Sequence, residues 1–341
     1  MLLRALLLPA MVASSFFSIS AHAALDANQT FQQFNAVVLG NIDSTSHLHG
    51  RTWVGGSVVG GEYVHRTLPA SDYAGLTVIG NVQSSGSGKV LSAGAVIGGS
   101  LDNFHVNGGS AAILGNANNG HLNGPTYVQG TATNINFNGG KLDTPNSILQ
   151  TNISAATSTD FRTLLGNTSS DLRQLSNTSS VTLNGNKATF TATADSTGLA
   201  VFNLSIEDSI SIFKLGEFDF ILNNATTIII NSGLTDIDIS ANFLGGSAQK
   251  IASSTIWNFY DAETVDFGAQ FGGSVLAVKA DLKNTADIEG NVYVNNLTQR
   301  GQIHQYGFTG DIPVLAVPEP STYAMFLAGL GLLAFGARRR A

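Results

Sequence analysis

The chain has no cysteine in its 341 residues, which excludes disulfide staples and every thiolate-based metal or nucleophile site. It is also poor in charge: Asp, Glu, Lys and Arg make up 11% of it, less than half the usual quarter or so. With 16 basic against 23 acidic residues and a net charge of −7, it lacks the basic surface that nucleic acid or anionic lipid requires. No apolar run reaches the roughly 20 residues of an ordinary membrane-spanning helix. There is no G-x-S-x-G elbow, P-loop or H-E-x-x-H, so hydrolase, nucleotide-binding and zinc-protease chemistries have no starting motif. A chain of this size without staples must be held by its core.

What is abundant is Gly, at 38 residues, together with Asn, Ser and Thr, between short β-branched runs. That is the pattern of many short strands and turns. Five of the runs share one form. They are Trp53-Val54-Gly55-Gly56-Ser57-Val58, Val78-Ile79-Gly80-Asn81-Val82, Val96-Ile97-Gly98-Gly99-Ser100-Leu101, Ile113-Leu114-Gly115-Asn116-Ala117 and Tyr127-Val128-Gln129-Gly130-Thr131-Ala132. Their leading glycines lie 25, 18, 17 and 15 residues apart. An irregular period of this size fits the coils of a parallel β-solenoid, with loops of variable length outside. Glycine suits its corners, where it takes positive φ or lets one coil approach the next. An antiparallel sandwich with Gly-rich hairpins is the alternative.

Between about residues 143 and 177 the strand pattern stops. Phe161, Leu164, Leu165, Leu172 and Leu175 recur at mostly helical spacing, with Asp160 placed to cap the first turn. Strand-like runs resume at 181–183, 187–194, 200–206, 209–213, 218–222 and 226–231. The glycine pattern returns at Phe271-Gly272-Gly273-Ser274-Val275-Leu276 and Ile288-Glu289-Gly290-Asn291-Val292. The expected fold is therefore all-β with a small helical insert, a parallel β-solenoid (β-helix) whose helix covers an open end of the stack.

Both ends of the chain read as export signals. Arg4, the apolar stretch from Ala5 to Phe17 and the Ala21-His22-Ala23 exit describe a secretory signal peptide and its cleavage site, residues 1–23. At the other end Pro318-Glu319-Pro320 precedes fifteen largely apolar residues, Tyr323 to Ala337, and then Arg338, Arg339 and Arg340. As a helix that run spans roughly 22 Å against about 30 Å of hydrocarbon, a short transmembrane helix suited to a temporary hold. The arginines resist translocation, so the body lies outside the inner membrane. This order of features resembles the PEP-CTERM sorting signal of Gram-negative bacteria. That resemblance implies a processing partner of the exosortase type, acting after the secretion machinery. Without both signals the body keeps 12 of its basic residues against at most 23 acidic ones.

Residues 24–312 form the expected body and 313–341 the sorting and anchor segment. Within the body, Phe34-Asn35-Ala36-Val37-Val38-Leu39-Gly40-Asn41, Gly50-Arg51-Thr52-Trp53-Val54-Gly55-Gly56, Ile256-Trp257-Asn258-Phe259-Tyr260-Asp261-Ala262, Gly273-Ser274-Val275-Leu276-Ala277 and Gly301-Gln302-Ile303-His304 look like the choice-of-anchor A family. The resemblance runs in the same order over nearly all of residues 31 to 311. It implies an extracellular, adhesin-like, β-rich module with no established reaction.

Candidate chemistry is sparse. His47 and His49 sit two apart, on one side of a strand, and with His65 form a possible nitrogen set for zinc. No cysteine and no compact third ligand accompanies them, so polar loop histidines are expected, with no metal and no cofactor. His105, His121 and His304 read as isolated. Three acid pairs, Glu207 with Asp208, Glu217 with Asp219, and Asp236 with Asp238, have the composition of a glycosidase pair, yet solvated strand faces account for them. Thr189, Thr191 and Thr193 form a short polar ladder of the kind that orders water or binds a polysaccharide. Trp53, Tyr63 and Tyr127 are candidate ligand contacts, with Trp53 equally placed to be core. The reading that results is a non-enzymatic, exported, surface- or matrix-associated structural protein that binds extracellular polysaccharide or itself. A polysaccharide-cleaving enzyme on a β-helix scaffold is the alternative, and an ice-binding protein a more distant one.

Overall fold

The structure is a computed structural model that describes residues 23–313. Ala23 is the first of these. Ala21, Pro318, Glu319, Pro320, the apolar run that follows and Arg338, Arg339 and Arg340 lie outside the described residues. Among the described residues no helix is long and apolar enough to cross a membrane.

Each glycine-centred run folds as two strands around a corner. Thr52–Val54 turns into Val58–Tyr63, Leu76–Val78 into Val82–Val90, Ala95–Ile97 into Leu101–Val106, Ala111–Ile113 into Ala117–Leu122, and Thr126–Val128 into Ala132–Phe137. Equivalent strands pair in parallel, so that Val54, Val78, Ile97, Ile113 and Val128 stand in one register row. That row points inward and is at most 6% exposed. The fold is the expected parallel β-solenoid. Among the described strand pairs only Ser180–Asn184 with Lys187–Thr191 is antiparallel.

Close approach, not backbone freedom, explains the corner glycines. Gly56 N–H donates to Gly40 O at 2.7 Å, Gly80 N–H to Gly56 O at 2.8 Å and Gly99 N–H to Gly80 O at 2.9 Å. A Cβ on Gly80 would sit 2.6 Å from Gly56 O, and none of these three glycines has positive φ. The residue after each glycine ties the coils together. Asn41 Oδ1 accepts from Ser57 N–H, Ser57 Oγ from Asn81 N–H, Asn81 Oδ1 from Ser100 N–H, Ser100 Oγ from Asn116 N–H and Asn116 Oδ1 from Thr131 N–H, all at 2.8–3.1 Å. Left-handed backbone occurs one bend later, at Gly60 (φ 73°), Asn103 (51°), Asn119 (51°) and Asn134 (54°). Gly and Asn are the residues that tolerate it.

The chain enters the stack in the middle. Ala36–Val38 pairs on one side with Thr52–Val54 and on the other with Val292–Gln299. From there coils build outward to Lys141–Leu142. Helices α2 (Ser147–Ala155) and α3 (Phe161–Leu172) follow α1 (Ala27–Gln33) in sequence and carry the chain back along the flank. Leu199–Leu204 then starts the opposite end, and Thr227–Ser232, Thr255–Phe259 and Ser274–Asn284 build inward to Val292–Gln299.

Three expectations are thereby corrected. The helical insert does not cover an end: α2 packs Leu149 against Val96 and Ala112, and α3 packs Phe161, Leu165 and Leu172 against Val37, Ile229, Ile256, Leu276 and Tyr293 on the lateral face. Asparagines hold α3 there. Asn258 Nδ2 donates to Ser169 O at 2.9 Å and Asn231 Nδ2 to Leu172 O at 2.8 Å, satisfying carbonyls near the helix end. Beside these coils a four-stranded sheet lines a further side of the stack, its parallel strands Lys187–Thr191, Glu217–Ile221 and Asn242–Phe243 coming from successive coils, and its Phe190, Phe218 and Phe220 pack on Trp257.

Second, Gly273-Ser274 and Gly290-Asn291 lie in the same stack but at a different corner, the one before the helix-covered face. There Val275 N–H donates to Asn291 O and Val292 N–H to Asn35 O, and both glycines have positive φ. Third, 209–213 is not a strand but part of α4 (Ile206–Phe213), capped by Ser205 Oγ, which accepts from Asp208 N–H. Its isoleucines suggest β structure, but the cap and the inward Ser209, Ile212 and Phe213 set a helix.

Candidate functional site

Two of the solenoid's sides lie away from α1, α2 and α3. On the first, a register row crosses ten strands: Asp238, Asp266, Lys283, Thr298, Asp43, Val59, Gln83, Asp102, Asn118 and Thr133. Nine strand spacings of about 4.8 Å make this row about 43 Å long. Some of its members bond to one another, and Arg300, outside the row, reaches Asp43. Asn118 Nδ2 donates to Asp102 at 2.7 Å, Lys283 Nζ to Asp266 at 3.0 Å and Arg300 to Asp43 at 3.2 Å.

The second of these sides carries the histidines. His47, Glu62, Lys89, His105 and His121 stand in register on successive strands. Glu62 supplies the third ligand that the sequence did not reveal. Its Oε2 lies 3.6 Å from His47 Nε2 and 3.4 Å from His65 Nε2, while Lys89 Nζ holds Oε1 at 2.7 Å. The ligand atoms of His47, Glu62 and His65 all lie within 4.8 Å of one another. The Glu62-x-x-His65 spacing was the available signal, hidden because the partner His47 belongs to the coil before.

The histidines are not isolated. Ring centroids run from His47 to His65 at 4.5 Å, His65 to His49 at 5.5 Å and His49 to His304 at 4.6 Å. The file ends where His304 Nδ1 meets the buried Glu289 Oε2 at 2.9 Å. Burial, then the neighbouring His47, pushes the His65 pKa below the usual histidine range, against the pull of Glu62. Burial likewise lowers that of His49, which Gln302 partly restores through a 3.0 Å hydrogen bond. His105 and His121 form a separate pair at 4.9 Å.

The aromatic candidates are structural. Tyr63 is wholly inside the coil. Trp53 docks the helices, donating to Ala156 O at 2.9 Å and lying 4.9 Å from Phe161. Tyr127 packs against the α2 cluster. Of the acids, Asp208 accepts from the capping Ser205 hydroxyl at 2.7 Å, and Asp219 lies 3.7 Å from Lys187. Asp236 and Asp238 are exposed on one face of Asp236–Ile239. They rim a groove of about 560 Å³ floored by Ile210, Phe213, Leu215 and Leu234. The threonine ladder extends to a second strand only at Thr189, which pairs with Thr182 on one side and Asp219 on the other, while Thr191 lies between Ser180 and Ile221.

Fold and surface together define a parallel β-solenoid that presents extended polar rows. The chain belongs to the family described as "Putative Ice-binding-like adhesive domain", whose sequence model matches residues 27–305. Residues 316–340 match the PEP-CTERM protein-sorting motif. It is thus an exported, surface-associated, adhesin-like protein carrying a signal for exosortase processing. No curated protein and no solved structure matches it.

Proposed function

We propose that this protein is a non-enzymatic structural component of the cell surface or extracellular matrix that binds extracellular polysaccharide or copies of itself. In this reading it is a module of the choice-of-anchor A kind. The ten-strand polar row carries the proposal. Many evenly spaced amides, carboxylates and hydroxyls favour a long, weakly charged polymer over a small ligand, because each contact adds little and the affinity is their sum. An ice-binding role draws no support from this row, where Asp43, Asp102, Asp266 and Lys283 stand among single threonines.

The C-terminal run holds the body transiently at the inner membrane until Pro318-Glu319-Pro320 is processed. Replacing these three residues should abolish removal of the tail, read by mass spectrometry of the exported protein. The binding proposal is tested by pull-down on extracted matrix polysaccharide with a parallel assay for reducing ends. Binding without release of reducing ends is expected. Release would support the second reading, a polysaccharide-cleaving enzyme, for which the groove beside Asp236 and Asp238 is the place to look.

A further inference from the structure

We propose that His47, Glu62 and His65 bind one divalent transition-metal ion of the zinc class on the histidine side of the solenoid. The geometry is that of a coordination site. Zinc bonds of about 2.05 Å in tetrahedral array place neighbouring donors about 3.3 Å apart. Glu62 Oε2 lies 3.4 Å from His65 Nε2 and 3.6 Å from His47 Nε2, too far for strong hydrogen bonds and close to two edges of that tetrahedron.

An independent observation points the same way. His65 Nε2 is shut off from solvent and has no hydrogen-bond partner among the described residues. A buried polar atom of this kind calls for a water or an ion. Lys89 Nζ, 2.7 Å from Glu62 Oε1, fixes the carboxylate by one oxygen and leaves the other for the metal, as outer partners of metal ligands do. Two imidazoles and one carboxylate select zinc, copper or nickel over calcium and magnesium, which take oxygen ligands. Three protein ligands leave a position for water.

The test uses the exported protein without a histidine tag, stripped with chelator and titrated with Zn²⁺ by calorimetry, with Co²⁺ absorption as the spectroscopic readout. One Zn²⁺ per chain is expected at neutral pH, with no response to Ca²⁺. His65→Gln and Glu62→Gln should each weaken binding at least tenfold, and His304→Gln should leave it unchanged. Circular dichroism establishes that each variant folds, and if one does not, the other decides. The proposal is overturned if the unaltered protein takes up no Zn²⁺ above the buffer control, or if the folded variants bind as the unaltered protein does.

Discussion

Val37 and Tyr293, near opposite ends of the described chain, stand side by side in parallel register. The Tyr293 hydroxyl donates to Phe34 O at 3.0 Å, and its ring stacks on Phe31 at 4.0 Å. The two arms of the solenoid therefore meet at a seam made by the first and last coils. Neither arm has a complete core edge without the other, which makes the seam the point where the fold becomes one cooperative unit.

The corner glycines can be tested pairwise. Gly80→Ala puts a Cβ against the Gly56 carbonyl and should destabilise the protein by about 1–3 kcal/mol. Gly86→Ala meets nothing within 4 Å and should change stability by less than about 0.5 kcal/mol. Chemical denaturation of the two variants side by side checks the difference.

The left-handed bend makes a different demand. Asn119→Gly loses only the exposed 3.1 Å bond from Asn134, under about 1 kcal/mol. Asn119→Val forces a β-branched residue to φ near 51° and should cost about 2 kcal/mol. The same chemical denaturation distinguishes steric from hydrogen-bond effects.

Helix α3 depends on buried amides. Asn258 is fully buried, donates to Ser169 O and Asn231 Oδ1, and accepts from Ser169 Oγ at 2.6 Å. Asn258→Ala should cost about 3 kcal/mol. Hydrogen exchange should show faster opening of the α3 amides than of the distant coil at Ala111–Ile113.

Acid should weaken the fold through His105. Burial, then His121 and Lys89 in the adjoining coils, lowers its pKa below 6.5. The unfolded chain then takes up the proton first. The stability associated with neutral His105 is therefore full above pH 6.5 and is lost as pH falls through the lower folded value. An NMR titration should place its midpoint below 6.5, and His105→Gln should flatten the acid side of the stability curve.

Much of the architecture was legible because its causes are local. Gly followed by Asn or Ser, between short aliphatic runs, spells out a corner whose glycine must touch the coil beside it. What stayed hidden depends on partners from distant coils. Nothing near Phe161 says that Asn231 and Asn258 will draw α3 onto the flank rather than over an end. Nothing near Ala36 says that Val292 is its neighbour. Glu62 joined the histidines only once the register of two strands was known, and Tyr63 proved not to be a surface contact because Gly-rich neighbours conceal how deep a coil interior lies, while Trp53, which the sequence left open between contact and core, packs beneath the helices.

The most direct test of the binding account is the affinity of matrix polysaccharide for the exported protein in which Gln83, Asp102 and Asn118 are together replaced by alanine, measured by co-sedimentation. These neighbours belong to the outward row. The account predicts binding at least tenfold weaker with an unchanged thermal melt, and undiminished binding by a correctly folded triple variant would contradict it.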